Sequence, residues 1–480
     1  MRRSGRRAVA SLLVPALLSA CTVGPDYEVP ATALVNDPKA QRSFATTDNA
    51  LSKQALPDQW WMLYDDPRLN RLVAEAFAAN TDLRLADANL ERSAALVKEA
   101  KTLQEPSVAV DSGVEYTQLS GEQYLLPVRP PVNTDYDAGI TVGYDLDLFG
   151  GIRRGIEAVE ADHQAVEAAR DLVMVNVAAE TARAFADVCA AGLQLVAAKR
   201  SLFLQQQNLS LIQSLRKGGR AIELDVTQSR QLVDQLATTI PALEAAQRNA
   251  SFRLVTLTGR VPGEFDATLE QCAAPPRILK PLPVGDGASL LKRRPDIREA
   301  ERQLAAATAE IGVATAELYP DIQIGISGGS VGAVSDFFTG PTNFWNLGGL
   351  LKWQANQSAA RAKIEAANAG AKMALAHFDG VVLNALRETE SGLNSYAHDL
   401  QREQRAEAAR DDAALAADEA HRLELGGRAT ALQVLDAERT LAAAEQSLAQ
   451  IESAVSTDQV GVFLVLGGGW RTTSIKTASN

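Results

Sequence analysis

Lys217-Gly218-Gly219-Arg220-Ala221-Ile222-Glu223-Leu224-Asp225-Val226 and Leu425-Gly426-Gly427-Arg428-Ala429-Thr430-Ala431-Leu432-Gln433-Val434 are two forms of one segment, 208 residues apart. A glycine pair between two long patterned stretches marks a chain reversal, because such a turn needs positive φ and glycine adopts it at little cost. At the same offset Arg153, Ile156, Glu157, Ala158 and Ala161 match Arg361, Ile364, Glu365, Ala366 and Ala369. Further upstream Asp82-Leu83-Arg84 matches Asp296-Ile297-Arg298, and Pro106 matches Pro320, both at an offset of 214. The change of six is one indel in the loops between. The chain therefore carries two copies of one unit, residues 67–272 and 290–470, joined by a linker at 273–289. An extended segment, 21–66, precedes them and a tail, 471–480, follows. A repeat of about 210 residues is far longer than a solenoid repeat and implies duplication of a whole hairpin-bearing unit.

Outward from the two turns, both copies read alike. Gly151–Lys217 is 67 residues without proline and Ser358–Leu425 is 68. At 1.5 Å per residue each predicts a helix of about 100 Å. The return helices carry heptads: Val434, Leu441, Leu448, Val455 and Val462 are seven apart, with Ala437, Ala444 and Ile451 offset by three. Val226, Val233, Ile240 and Leu254 repeat this in the first copy, with Gln247 breaking the row. Such rows predict antiparallel coiled-coil packing. A first helix is expected over Pro67–Leu103 and over Leu290–Leu318, ended by Pro106 and Pro320. Between first and long helices lie alternating strands. Val108, Val110, Val114 and Tyr116 alternate with polar residues, and Tyr136, Ala138, Ile140, Val142, Tyr144, Leu146 and Leu148 alternate with Asp137, Thr141, Asp145 and Asp147. Ile322, Ile324 and Ile326, then Trp345, Leu347, Leu351 and Trp353, do the same in the second copy. A period of two with one apolar face fits either a transmembrane barrel or a sheet wet on one side.

The N-terminus is an address. Arg2, Arg3, Arg6 and Arg7 precede an apolar run, Ala8–Leu18, too short to span a bilayer. Leu18-Ser19-Ala20-Cys21 resembles a bacterial lipobox, which predicts a signal peptide over 1–20 and a lipidated Cys21. Thr22 in place of Asp points to the outer membrane by the same resemblance. Loss of residues 1–20 takes the formal charge from −12 to −16, which excludes an ordinary nucleic-acid binder. The remaining cysteines, Cys189 and Cys272, sit in an oxidising compartment and could pair. Cys189 lies in a helical pattern, however, and a small buried hydrophobe is the commoner role.

Four strands cannot close a membrane barrel, and unpaired edges in lipid are forbidden. If the strands span a membrane, several chains must pool them, and the pooled ring encloses a pore. No stretch after residue 20 is long and apolar enough for a transmembrane helix.

At this point the chain resembles the TolC-type outer-membrane factors, in the lipidated branch that serves resistance–nodulation–division efflux pumps. Cys21-Thr22-Val23-Gly24-Pro25-Asp26-Tyr27 is similar to the branch's opening after the lipobox. Trp60-Trp61-Met62-Leu63-Tyr64-Asp65-Asp66-Pro67-Arg68-Leu69 is similar to its first-helix entry, and Asp145-Leu146-Asp147-Leu148-Phe149-Gly150 to its strand-to-helix junction. Leu290-Leu291-Lys292-Arg293-Arg294-Pro295-Asp296-Ile297-Arg298 is the most specific segment, and Leu466-Gly467-Gly468-Gly469-Trp470 closes the series. The resemblance implies an α+β membrane protein: a trimeric twelve-stranded outer-membrane β-barrel, four strands per chain, continued by a long antiparallel α-helical coiled-coil barrel in the periplasm. It implies passive export through a homotrimer, a periplasmic adaptor (membrane fusion protein) at the helix tips, and an inner-membrane resistance–nodulation–division transporter supplying energy. Beyond outer-membrane lipid, these complete the expected partners; no nucleic acid, metal or cofactor is expected except the covalent lipid on Cys21.

The same resemblance assigns sites. Gly219 and Gly427 match the family's tip glycines, with Arg220 and Arg428 where an aliphatic residue is usual. Leu432, Asp436 and Arg439 match the periplasmic constriction. Asp436 and Arg439, three apart, share a helical face, where a solvated ion pair is the plain alternative. The second strand-to-helix junction departs from the family's Pro-rich pattern and reads Trp353-Gln354-Ala355-Asn356-Gln357-Ser358, with Asn356 or Ser358 available as a cap. Asp111, Glu115, Asp137, Asp145 and Asp147 would line or rim a lumen and favour cations there. Two other readings stay open: an exit duct for protein secretion, and a lipid-anchored coiled-coil scaffold without a pore. An enzyme is not expected. His163, His377, His398 and His421 lack metal-ligand spacing, and neither a phosphate loop nor a nucleophile elbow is present.

Overall fold

The computed structural model describes residues 22–122, 125–264 and 266–469. The expected signal segment 1–20, Cys21 with its lipid, Trp470 and the tail 471–480 lie outside the described residues. The element order runs twice. A two-residue strand β1 (Leu51–Ser52) comes first. Then come α1 (Pro67–Ala79), α2 (Thr81–Thr102), β2 (Ser107–Thr117), β3 (Asn133–Asp145), α3 (Gly151–Lys217), α4 (Glu223–Ala237) and α5 (Thr239–Leu257). After β4 (Leu282–Pro283) follow α6 (Gly287–Arg293), α7 (Pro295–Ala316), β5 (Asp321–Gly332), β6 (Asn343–Lys352), α8 (Ser358–Leu425) and α9 (Ala431–Val465). The long helices α3 and α8, of 67 and 68 residues, keep the bounds expected of them.

Three of the expected helices break. Pro67–Leu103 divides at Asn80, which turns extended; its Oδ1 accepts from the Asp82 and Leu83 N–H groups and caps α2. Leu290–Leu318 divides at Arg294, because a residue before proline avoids the α region and Pro295 opens the new helix. Asn80 and Arg294 are 214 residues apart, the offset of the repeat. The return helix of the first copy breaks at Thr238, since the Pro241 ring would collide with the carbonyl of Ala237.

The described residues form two compact units, each drawing on both copies. One holds residues 22–30, 90–166 and 299–378. Its sheet is antiparallel, in the order β2-β3-β5-β6, with Val110 opposite Ile140, Ile140 opposite Gly328, and Gly328 opposite Trp345. The outer edges of β2 and β6 have no partner strand among the described residues. At the junction into α3, the Asp147 carboxylate caps the N–H groups of Ile152 and Arg153. Asp147 thus serves as a helix cap, at the end of the sheet rather than within a strand. Asn356 caps α8, accepting from the Ser358 N–H and hydroxyl. The opening segment is fastened here too: Arg154, only 4% exposed, donates to the Val23 and Gly24 carbonyls and to Asp26 and Glu157. Gly24 lies so near α7 that a Cβ on it would stand 2.4 Å from Gly312 Cα.

The other unit holds residues 31–89, 167–298 and 379–469. Its core gathers three of the motifs. Trp60 is fully buried and stacks on Phe463 with ring centroids 4.7 Å apart. Arg294 donates to Asp296, Glu388 and the Val465 carbonyl, and so ties α6 to the end of α9. β1 pairs parallel with β4 beside them. Cys189 of α3 and Cys272 form a disulfide, with Cα atoms 4.7 Å apart. This corrects the expectation of an unpaired buried thiol. A helical pattern shows which face of α3 is buried, not that the segment after α5 lies against it. Gly192, one turn on, permits that approach: a Cβ there would meet the Cys272 carbonyl oxygen at 2.0 Å. Gln247, the break in the heptad row, is buried and donates to the Glu270 and Val188 carbonyls, fastening the same segment.

On α9, Asp458 is pushed up to about 6 by burial and by the neighbouring Asp399, against the pull of Arg183 and Arg402. A carboxyl raised in the fold gives stability that is complete below its unfolded value and is lost as pH rises through the folded one. Asp458→Asn is therefore expected to stabilise the fold by on the order of 1 kcal/mol at about pH 8, read as a raised melting temperature, and to leave it unchanged only at about pH 3, below the carboxyl's unfolded value. A thermal melt at each pH checks this; equal effects at both would reject the raised carboxyl.

Candidate functional site

The register of the four long strands sorts their side chains cleanly, because directly opposed residues share a face. Val108, Val110, Val114 and Tyr116 of β2 fall with Tyr136, Ile140, Val142 and Tyr144 of β3. Ile324 and Ile326 of β5, and Trp345, Leu347 and Leu351 of β6, continue that face. These side chains are large and apolar, with a few small residues such as Ser112, Gly328 and Gly349 between them, and most are exposed, Val110 to 77% and Trp345 to 79%. The opposite face is small and polar over most of its area: Asp111, Glu115, Asp137, Thr141, Asp145, Gln323, Ser327 and Asn346, with glycines between and Phe344 and Leu350 on β6. Strands of 10 to 13 residues suit a tilted crossing of a hydrocarbon layer. A sheet whose apolar face lies bare is the reverse of a water-soluble sheet, which packs that face on a core.

The two tip turns are built alike. Gly219 and Gly427 take φ of 70° and 68°, and no atom lies within 4 Å of where a Cβ would be. Backbone conformation alone demands glycine there. The N–H groups of Arg220 and Arg428 bond back to the Leu215 and Leu423 carbonyls, closing each helix. Thr430 and Gln433 form a capping box that starts α9, whereas the Asp225 carboxylate accepts the Ile222 N–H at the start of α4. Arg220 and Arg428 are exposed, flanked by exposed Ile222, Leu224 and Leu425.

Leu432, Asp436 and Arg439 line one exposed strip of α9, as their spacing predicts. Asp436 and Arg439 make no ion pair with each other, so the i,i+3 pair of the plain alternative is absent from the single chain. An exposed pair of this kind gains too little to hold two long side chains in place.

The inner side of the same helix carries polar residues that the apolar heptads concealed. The Glu438 carboxylate accepts from Asn208 of α3 at 2.6 Å and bonds His421 of α8 at 2.8 Å. Burial raises the Glu438 carboxyl; His421 and Asn208 pull it back. Seven residues on, Glu445 accepts from Ser201 at 3.3 Å. Seven further, Glu452 joins Glu403 and Glu407 in a group of carboxylates, but Arg277 takes both oxygens of Glu403. Fourteen residues past Glu445, Gln459 is fully buried and bonds the Ile278 backbone and the Tyr396 hydroxyl. The seven-residue spacing was the available signal.

Comparison with known proteins agrees with this geometry. The chain is 27% identical over 468 residues to the probable outer membrane lipoprotein SilC of Salmonella typhimurium, covering 95% of this chain and 97% of that one. It is 26% identical over 460 residues to nodulation protein T of Rhizobium leguminosarum bv. trifolii, covering 95% and 96%. The solved structure of the outer-membrane channel OprN superposes with a TM-score of 0.87 at 33% identity, covering 94% of this chain and all of that one. The open-state MtrE outer membrane channel of Neisseria gonorrhoeae shares the fold, with a TM-score of 0.81 at 22% identity over 94% and 99%. The profile of one family matches residues 72–260 and 288–468, nearly all of both copies, and on that match the chain belongs to the outer membrane efflux proteins.

Proposed function

We propose that this chain is one third of a passive exit duct in the outer membrane, working as the last component of a tripartite efflux pump. The observation that carries the reading is the four-stranded sheet, with one exposed apolar face and no partner strand at either edge among the described residues. Three copies would close twelve strands into a barrel, and the long helices would continue it in the periplasm. Lipid on Cys21 would anchor each chain beside the barrel. A periplasmic adaptor would seat on the tips at Gly219, Arg220, Gly427 and Arg428, and a resistance–nodulation–division transporter in the inner membrane would drive export. Leu432, Asp436 and Arg439 would recur three times about the axis and narrow the tip, which opens as α9 shifts, like an iris. Acidic residues on the polar sheet face would favour cations in the lumen. The chain needs no cofactor for this.

Cargo would be chosen by the pump rather than the duct. Relatives of similar identity bear different names: CusC of Escherichia coli is a cation efflux system protein, OpmQ of Pseudomonas putida a pyoverdine export protein, and ArpC of Pseudomonas putida an antibiotic efflux protein. Small molecules, drugs and toxic compounds are therefore the expected substrates.

Single-channel conductance of the lipidated protein in planar bilayers tests this, wild type beside Asp436→Ala/Arg439→Ala. Small discrete openings that grow severalfold in the double variant are expected. Equal openings in both would move the constriction elsewhere on the helices. No current from either, with the protein inserted, would favour the scaffold over a duct.

A further inference from the structure

We propose that Glu438 is a positioning residue for the constriction: its bonds to Asn208 and His421 set the rotation of α9, and so the direction in which Leu432, Asp436 and Arg439 point. The inference rests on the duct reading above. Glu438 is two residues from Asp436 and one from Arg439, which places it roughly 200° and 100° around the helix from them. Asp436 and Arg439 are exposed; Glu438 is half-buried against α3 and α8. A helix turns as a rigid body over so short a length, so α9 cannot swing its exposed strip without pulling Glu438 from both partners.

Glu438 is also the strongest link in its row. Its two carboxylate oxygens are held separately, one by Asn208 at 2.6 Å and one by His421 at 2.8 Å. The next link along α9, Ser201 to Glu445, is a single bond of 3.3 Å. Beyond that, Gln194 donates to Ser453 at 3.0 Å, a bond between neutral groups. Bonds to a charged group are about twice as strong as neutral ones. Between Glu438 and the turn at Gly427, the capping bonds of Thr430 and Gln433 are local to α9 and tie it to neither neighbour. Val434 and Leu435 pack nearer the turn, but they carry no directional bond. The three-helix link at Glu438 is the outermost hydrogen-bonded fastening of α9 to the two long helices among the described residues, and the one closest to the constriction strip.

The bond chemistry separates positioning from simple packing. A glutamine at 438 can still accept from Asn208 and meet His421, whereas alanine can do neither. Glu438→Ala, Glu438→Gln, Asn208→Ala and His421→Ala are to be compared with wild type in planar bilayers, each in the wild-type background, and Glu438→Ala also with Asp436→Ala/Arg439→Ala. Glu438→Ala is expected to raise open probability about tenfold, with Asn208→Ala and His421→Ala each giving part of that rise and Glu438→Gln staying within about twofold of wild type. Added to Asp436→Ala/Arg439→Ala, it should change little, because there is no constriction left to aim. Wild-type gating in Glu438→Ala, Asn208→Ala and His421→Ala, beside an enlarged pore in Asp436→Ala/Arg439→Ala, overturns the inference and leaves the duct standing. Equal rises in Glu438→Ala and Glu438→Gln overturn it as well. If Glu438→Ala fails to assemble, wild-type gating in the two partner variants overturns it. Absence of current from every variant overturns the duct and this inference together.

Discussion

Protein carrying Cys189→Ser and Cys272→Ser is expected to lose about 4 kcal/mol of stability in its disulfide-bonded unit. The bond spans 83 residues of sequence, and closing so long a loop removes much of the freedom of the unfolded chain. What it holds matters as much. The segment after α5 carries Glu270, Cys272 and β4, and β4 in turn pairs with β1. Hydrogen bonds from Gln247 and a bidentate contact from Arg248 to Glu270 fasten the same stretch, so it should loosen without detaching. The fall is to be read as a lowered thermal midpoint of the full-length protein and faster hydrogen exchange over residues 267–283. Wild type treated with a reducing agent should behave like the variant. Unchanged midpoint and exchange in the variant would mean that the segment is held without the bond.

The second large effect concerns the sheet. Ile140 lies mid-strand on β3, between Val110 and Gly328 on the apolar face. Ile140→Arg is expected to cost about 2–4 kcal/mol per chain, the range for a cation at the middle of a lipid-facing strand. Thr141→Arg, one residue on and facing the other way, should insert normally and alter only conductance. The reading is the inserted, heat-modifiable fraction after reconstitution over a urea series. Equal tolerance of both changes would refute the assignment of faces, and greater tolerance of Ile140→Arg would reverse it.

These residues show why much of the fold could be read in advance. A side chain's face in a strand follows from its parity, and the absence of proline over 67 and 68 residues leaves little besides a helix. The glycine turns and the strip of Leu432, Asp436 and Arg439 follow from local rules in the same way. What escaped reading depends on partners distant in sequence. Glu438, Glu445 and Gln459 look like a solvated row until Asn208, Ser201 and the Ile278 backbone are brought against them. Cys272 gave no sign of the neighbour it meets across Gly192. Asp147 belongs to an alternating pattern, yet it sits just past the end of β3, where a helix start claims its carboxylate. The break at Thr238 was legible, since Pro241 stands three residues on; the heptad row obscured it.

The bare edges of β2 and β6 have a genetic corollary. In the proposed duct each chain would borrow both neighbours' strands to finish its own sheet, so one faulty edge would spoil every ring that admits it. A cell expressing equal amounts of an intact allele and one with a defective β6 would retain only about one wholly intact three-chain ring in eight. Such an allele should be dominant, poisoning the product of its healthy counterpart, whereas a null allele that makes no chain would merely halve the dose.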